Sequence, residues 1–223
     1  MEYDAIVLAG GQGSRLGGID KAQLDLAGVP LIDRPLAACR GATRIIVVGP
    51  QHALGPGSQI EQRITVTRED PPGGGPAAAT AAGVRELLAG NHAPWALLLS
   101  CDLPLAVDGV SRLLQHVESA PAARTAAGGP DRPGEVGPGE SCEPDGYCLT
   151  DNDGRRQWLF ALYRTDALRR AVLGCPDPSG TSMRRLLDGL HLRLVPDTED
   201  VSGDLDTWDD HAAWTARLEN LDE

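Results

Sequence analysis

Seven short apolar or β-branched runs, separated by stretches of helical periodicity, constrain this chain more than any other feature. They are YDAIVL (3–8), RIIVVG (44–49), RITVTR (63–68), WALLLSCD (95–102), GYCLT (146–150), WLFALYR (158–164) and LRLVP (192–196). The first and fourth are nearly continuous apolar runs, the pattern of strands buried on both faces. Between the runs, helices are expected from about Leu31 to Arg40, from Pro76 to Ala89 with Gly90-Asn91 as the stop, and from Asp108 with Val110, Leu113, Leu114 and Val117 on one face. Pro35 falls awkwardly early in the first of these. Further on, Thr165 reads as the cap of one helix and Ser179 or Thr181 as the cap of the next. Thr207 precedes a last helix whose stripe carries His211, Trp214, Leu218 and Leu221, with Trp214 and His211 read as core. Alternating strand and helix predicts a three-layer, doubly wound, mostly parallel sheet, in which ligands bind beyond the carboxyl ends of the strands.

The 223 residues, 41% of them apolar, suit a single α/β domain over 1–223. Residues 119–146 interrupt it: 11 of these 28 positions are Gly or Pro and apolar periodicity vanishes, so a flexible insertion between two strands is expected there. With 20 basic against 32 acidic side chains the net charge is -12, which argues against a nucleic-acid partner and for a small one. No apolar run approaches the roughly 18 residues of a membrane span, and MEYDAIVLAGG lacks a signal peptide's basic start, so no membrane partner and a cytoplasmic location are expected. Five scattered cysteines without a CxxC pair predict neither zinc nor a disulfide framework.

Directly after the first run comes LAGGQGSRLGGIDK (8–21). Glycines admit positive φ and let backbone N–H groups approach a phosphate, so a strand followed by this stretch is a credible phosphate cradle. The dinucleotide fingerprint GxGxxG fails because Leu16 stands where a glycine is needed. A Walker loop fails because Gly18-Ile19 stands where Gly-Lys is needed. Arg15 and Lys21 remain as cations at the two ends, facing either a triphosphate or, in the alternative, only solvent around a glycine-rich turn.

The stretch resembles the LAGGxGxRMGGxDK signature of the molybdenum cofactor guanylyltransferases, within the wider MobA-like nucleotidyltransferases, with Leu16 in place of methionine. Further resemblances follow in Lys21 to Leu31, in Glu69-Asp70 with Gly75-Pro76-Ala77-Ala78, in Ser100-Cys101-Asp102-Leu103-Pro104, in DGRRQWLFALYRTDAL (153–168) and in Gly203-Asp-Leu-Asp-Thr. Three departures stand out. Ala79 replaces the last glycine of the family's GPLAG, Trp158 stands where proline is frequent, and Trp208 replaces the proline of D-x-D-T-P.

The resemblance implies a Rossmann-like nucleotidyltransferase fold and transfer of GMP from GTP to the terminal phosphate of the molybdopterin cofactor, with release of pyrophosphate. Such a transfer needs charge neutralisation and in-line positioning more than covalent help. Arg15, Lys21 and Asp102 are then the catalytic candidates, and Leu8, Ala9, Gly10, Gly11, Gly13 and Lys21 the nucleotide-binding ones. Asp102, and with it Asp206, would hold Mg2+, since carboxylate oxygens suit a hard cation. Either aspartate could instead cap the helix that follows it. The family's base-reading aspartate corresponds to Asp70, whose carboxylate can accept from guanine N1 and N2; a turn residue before Pro71 is the alternative. The resemblance also implies transient contact with proteins that deliver or receive the cofactor. Competing readings are transfer to another phosphorylated acceptor, such as a phospholactate, a glycosyltransferase using the DxD of Asp204 and Asp206, and a non-catalytic nucleotide-binding relative.

Overall fold

The computed structural model describes residues 1–11, 16–51, 63–119 and 143–221. All seven runs form strands of one sheet: β1 (Tyr3–Leu8), β4 (Ile45–Val48), β5 (Ile64–Thr67), β6 (Trp95–Ser100), β7 (Gly146–Thr150), β8 (Arg156–Arg164) and β9 (Leu192–Pro196). A two-stranded ribbon, β2 (Asp25–Leu26) and β3 (Val29–Pro30), stands apart from that sheet. Its turn places both Ala27 (φ 54°) and Gly28 (φ 78°) in the left-handed region, the geometry that matches the twist of a tight hairpin. The sheet order is β5-β4-β1-β6-β8-β7-β9. Only β8 runs against its neighbours, so the sheet is mostly parallel.

Period-two alternation divides the strands between two cores. Ala5, Val7, Ile45, Val47, Leu97 and Leu99 face one side, under α1 (Asp33–Ala38), α3 (Ala106–Ser119) and α6 (Trp208–Leu221). Ile6, Leu8, Ile46, Val48, Ala96 and Leu98 face the other, under α2 (Pro76–Leu88), α4 (Thr165–Leu173) and α5 (Met183–Leu187). The result is the expected three-layer, Rossmann-like arrangement. α2 is rich in alanine, and it lies close on the sheet: a Cβ on Gly83 would come within 2.6 Å of Ile6 Cγ2. Pro35 is tolerated because it is the third residue of α1, in a first turn whose N–H groups have no intrahelical partner.

Several local expectations are corrected. Thr165 is not a cap but the first residue of α4, and its buried hydroxyl donates to Ala93 O at 2.8 Å. Neither Ser179 nor Thr181 caps α5; Ser182 does, accepting from Arg185 N–H at 3.2 Å. α2 ends at Ala89 in a right-handed conformation, without a left-handed glycine. His211 is only half-buried on α6, with its Nε2 2.8 Å from Asp25 O, while Trp214 and Leu218 are core and Leu221 is exposed. The insertion expected at 119–146 lies, over 120–142, outside the described residues.

The connections place the site. From β1 the chain moves outward to β4 and β5, then returns to put β6 on the other side of β1, so the crossover reverses at the β1/β6 boundary. Loops after those two strands therefore diverge there and leave a crevice. Hydrogen bonds fix its floor: Cys101 N–H donates to Leu8 O at 3.0 Å and Ala9 N–H to Val48 O at 2.7 Å.

Candidate active site

Lys21 begins a short 3-10 turn, Lys21–Gln23, whose start is capped by Asp20: its Oδ1 accepts from Ala22 N–H at 3.1 Å. That turn drives the lysine inward. It is 5% exposed, and its Nζ lies 2.6 Å from Asp102 Oδ2 and 2.6 Å from Asp206 Oδ1. Burial alone would lower the ammonium's pKa, but the two carboxylates outweigh it and leave the group above its ordinary value, hence charged at neutral pH. Asp102 stands two residues beyond the end of β6, and α3 starts only at Ala106, so it does not act as the cap of that helix.

A third carboxylate joins these. Asp102, Asp204 and Asp206 each place an oxygen within 4.8 Å of the others. Partial burial, then the charges of Asp102 and Asp206, raise the Asp204 carboxyl above its ordinary value. Lys21 neutralises one of the three charges, leaving a site that is still negative. Asp102 Oδ1 is buried and has no hydrogen-bond partner among the described residues. An orphaned carboxylate oxygen within a cluster of hard donors fits a divalent cation.

The loop bearing Asp204 and Asp206 is tied at both ends. At its start, Asp197 is buried and accepts from Val201 N–H (3.0 Å) and Ser202 N–H (2.7 Å). In its middle, Leu205 N–H donates to Asp102 O at 3.1 Å and Trp214 Nε1 donates to Asp204 O at 3.2 Å. At its end, Asp210 Oδ2 accepts from the N–H groups of Asp206 and Thr207, while Thr207 Oγ1 accepts from Asp210 N–H at 3.1 Å. Capping of α6 is thus done by Thr207 with Asp210, which leaves the Asp206 carboxylate for Lys21.

Three cavities line up along the crevice. The central one, about 540 Å³, is lined by Leu8, Gly10, Gly11, Lys21, Asp102 and Asp206 among others, and by Gly75 and Pro76 at the start of α2. The positive end of that helix therefore faces the same space as the ammonium. On one side a cavity of about 420 Å³ shares Gly10, Gly11, Glu69 and Gly73 with the first and also takes in Ala9. On the other, a third of about 250 Å³ shares Ser100, Asp102 and Leu159.

Lys21, Asp102, Asp206, Leu8, Gly10 and Gly11 are thus brought together, with Ala9 next to them. Gly13 and Arg15 lie outside the described residues. Asp70 is exposed and lines none of the three cavities. Its neighbour Glu69, unremarked in the sequence beyond its place beside Asp70, is buried and lines two of them; its Oε1 accepts from Gly73 N–H at 3.0 Å and its buried Oε2 has no partner among the described residues. Asp204 was signalled by the DxD spacing, but only as part of a different chemistry. Cys101, under Asp102, is a buried thiol pushed well above its ordinary pKa by that burial, so it stays protonated and unreactive.

Residues 5–193 match the MobA-like NTP transferase domain. The chain belongs to that family. Over 122 residues it is 33% identical to the molybdenum cofactor guanylyltransferase of Cupriavidus metallidurans, across 54% of this chain and 58% of that one. Over 124 residues it is 34% identical to the molybdenum cofactor guanylyltransferase of Pseudomonas putida, across 53% and 62%. The chain thus spans less than two thirds of the length of the curated relatives it matches. In fold it resembles the Archaeoglobus fulgidus molybdopterin-guanine dinucleotide biosynthesis protein A (TM-score 0.61, 18% identity, 98% of this chain and 100% of that one). It is equally similar to the 2-C-methyl-D-erythritol 4-phosphate cytidylyltransferase of Thermus thermophilus (TM-score 0.62, 18% identity, 98% and 100%). No helix among the described residues is long and apolar enough to cross a membrane.

Proposed function

We propose that this member of the MobA-like family is a nucleotidyltransferase that moves GMP from GTP to the phosphate of the molybdopterin cofactor. An oxygen of the acceptor phosphate attacks the α-phosphorus of GTP, and the bond from that phosphorus to the pyrophosphate oxygen breaks. The observation that carries this reading is the Lys21 ammonium, held charged by two carboxylates where the glycine-rich loop, the start of α2 and the end of β6 converge. A fixed cation and a helix N-terminus at one point suit the negative charge that builds up in phosphoryl-type transfer.

In this reading Leu8, Ala9, Gly10 and Gly11 cradle the nucleotide by their backbone, Gly13 is a further nucleotide-binding candidate and Arg15 a further catalytic one, and Lys21 neutralises the triphosphate. Asp102 and Asp206, with Asp204, are the residues that would hold Mg2+; when bound, that ion would neutralise phosphate charge at the reacting centre. The segment Glu69-Asp70 supplies the carboxylate for guanine, whose N1 and N2 donors cytosine lacks. Glu69 is the better placed of the two, because it lines both nucleotide-side cavities whereas Asp70 lines neither. The same reading takes the reaction to be cytoplasmic, with the acceptor arriving by transient contact with proteins that carry the cofactor.

Calorimetric titration with GTP, CTP and ATP in the presence of Mg2+ tests the base. The reading expects GTP to bind at least tenfold more tightly than CTP, about 1.4 kcal/mol. No GTP preference would overturn the guanylyl assignment, and preference for CTP would favour the cytidylyl alternative.

A further inference from the structure

The carboxylates that converge at the site come from two segments far apart in the chain. Asp102 stands in the turn between β6 and α3, whereas Asp204 and Asp206 stand on the loop between β9 and α6. Near the cluster the segments are joined by the bond from Leu205 N–H to Asp102 O. Arg112 joins them a second time. It sits midway along α3, on the same segment as Asp102, and its half-buried guanidinium spans the first residues of the loop. Nη2 lies 2.7 Å from Glu199 Oε1, while Nη1 donates to Thr198 Oγ1 at 3.2 Å and to Pro196 O at 3.4 Å. Nη1 is also 3.9 Å from Asp197 Oδ1, so the guanidinium holds the loop at the carboxylate from which Val201 and Ser202 hang. From the other side, Arg217 Nη2 on α6 donates to Glu199 O at 2.6 Å.

We propose that Arg112 is a positioning residue for the acidic cluster: it fixes the loop of Asp204 and Asp206 against the Asp102 segment, so that the three carboxylates converge on one divalent cation. This rests on the reading of those aspartates as the ion-holding set of a nucleotidyltransferase. Oxygen donors set in place before the ion arrives bind it more tightly than donors that must be ordered afterwards, and groups behind the ligands supply that order. Arg112 reaches residues 196–199, upstream of Asp204 and Asp206, and acts on them through the loop. Its planar fork meets Glu199 with one nitrogen and Thr198 and Pro196 with the other, a span that a single ammonium cannot reproduce. Charge alone predicts the opposite effect. A guanidinium near a cation site repels the ion, so its removal would tighten binding if electrostatics governed, and weaken it if position governs.

The test titrates Mn2+ alone into the full chain and follows the electron paramagnetic resonance signal of the free ion, for wild type, Arg112→Met and Arg112→Lys. Arg112→Met should bind Mn2+ about tenfold more weakly, the lower end of what removing a group behind metal ligands costs, since Arg217 still holds the loop from α6. Arg112→Lys keeps the charge and loses the fork, and should recover part of the affinity, to within about threefold of wild type. Both variants should melt within about 4 °C of wild type, the scale of losing a partly exposed ion pair in a chain of this size, and the titrations are made well below that transition. Should Arg112→Met not fold, the same loss of about threefold in Arg112→Lys carries the test. Mn2+ affinity that is unchanged or tighter in the variants, whatever their Tm, would overturn the positioning role while leaving the ion site intact. Failure of the wild type to bind Mn2+ would overturn the reading of the three aspartates as an ion site, and the role of Arg112 with it.

Discussion

Replacing Asp197 by alanine removes the buried carboxylate from which the loop carrying Asp204 and Asp206 hangs. Its oxygens accept from the backbone N–H groups of Val201 at 3.0 Å and Ser202 at 2.7 Å, both buried, and from Glu199 at 3.3 Å. A hydrogen bond to a charged acceptor contributes about 1.5–3 kcal/mol, so losing the two shorter ones costs about 3–6 kcal/mol, or a Tm lower by roughly 10 °C at this chain length. The effect also has a pH signature. Burial pushes the Asp197 carboxyl up, but the Ser202 hydroxyl and then the N–H groups of Val201, Ser202 and Glu199 outweigh it and hold the group below the ordinary value of 3.8. A carboxyl whose pKa is depressed by folding stabilises fully above its unfolded value, and that stabilisation is lost as pH falls through the lower folded one. Thermal denaturation of both chains from pH 7 to pH 2.5 should therefore show a wide gap at neutral pH that narrows below about pH 4. A Tm within 1–2 °C of wild type at pH 7, or a gap that does not narrow in acid, would refute the view that Asp197 clamps this loop.

Two further outcomes follow from particular contacts. Glu69→Gln should reduce the preference for GTP over CTP by about tenfold, because an amide offers a donor where guanine N1 and N2 also donate, while Asp70→Asn, exposed and outside the cavities, should change it less than twofold; competitive titration of the two nucleotides checks both, and the reverse order of effects would return the base-reading role to Asp70. Gly109→Ala should lower stability by about 1–3 kcal/mol, since an added Cβ would collide with the Phe160 ring and α3 must lift from the sheet; urea denaturation measures it, and a neutral result would mean that Phe160 repacks freely.

Much of this architecture is legible in the chain because both faces of the sheet are covered. Runs such as Ala5-Ile6-Val7-Leu8 are apolar throughout, and every one of the seven runs is a strand of the sheet. The reversed direction of β8 is a matter of connection: only residues 151–155 separate it from β7, far fewer than the dozen or so a parallel crossover needs. Caps were less legible. Thr165, Ser179 and Thr181 all have cap chemistry, but Thr165 finds a buried carbonyl at Ala93 and Thr181 Oγ1 donates to Asp177 O, so tertiary partners and local turns decide. At the site, Lys21 and Asp102 sit in motifs with strict spacing on either side of the switch between β1 and β6. Glu69 and Asp204 depend on which way a loop turns its side chains, and no periodicity encodes that.

The central claim is that the Lys21 ammonium, gripped by Asp102 and Asp206, is the working charge of a nucleotidyl transfer. Pyrophosphate release from GTP, measured for wild type and Lys21→Ala with Mg2+ and a panel of phosphorylated acceptors that includes the molybdopterin cofactor, tests it most directly. The account predicts acceptor-dependent release by wild type and a loss of about 100-fold or more in the variant, the scale of removing one preorganised charge-stabilising group. Turnover by Lys21→Ala at the wild-type rate would contradict it.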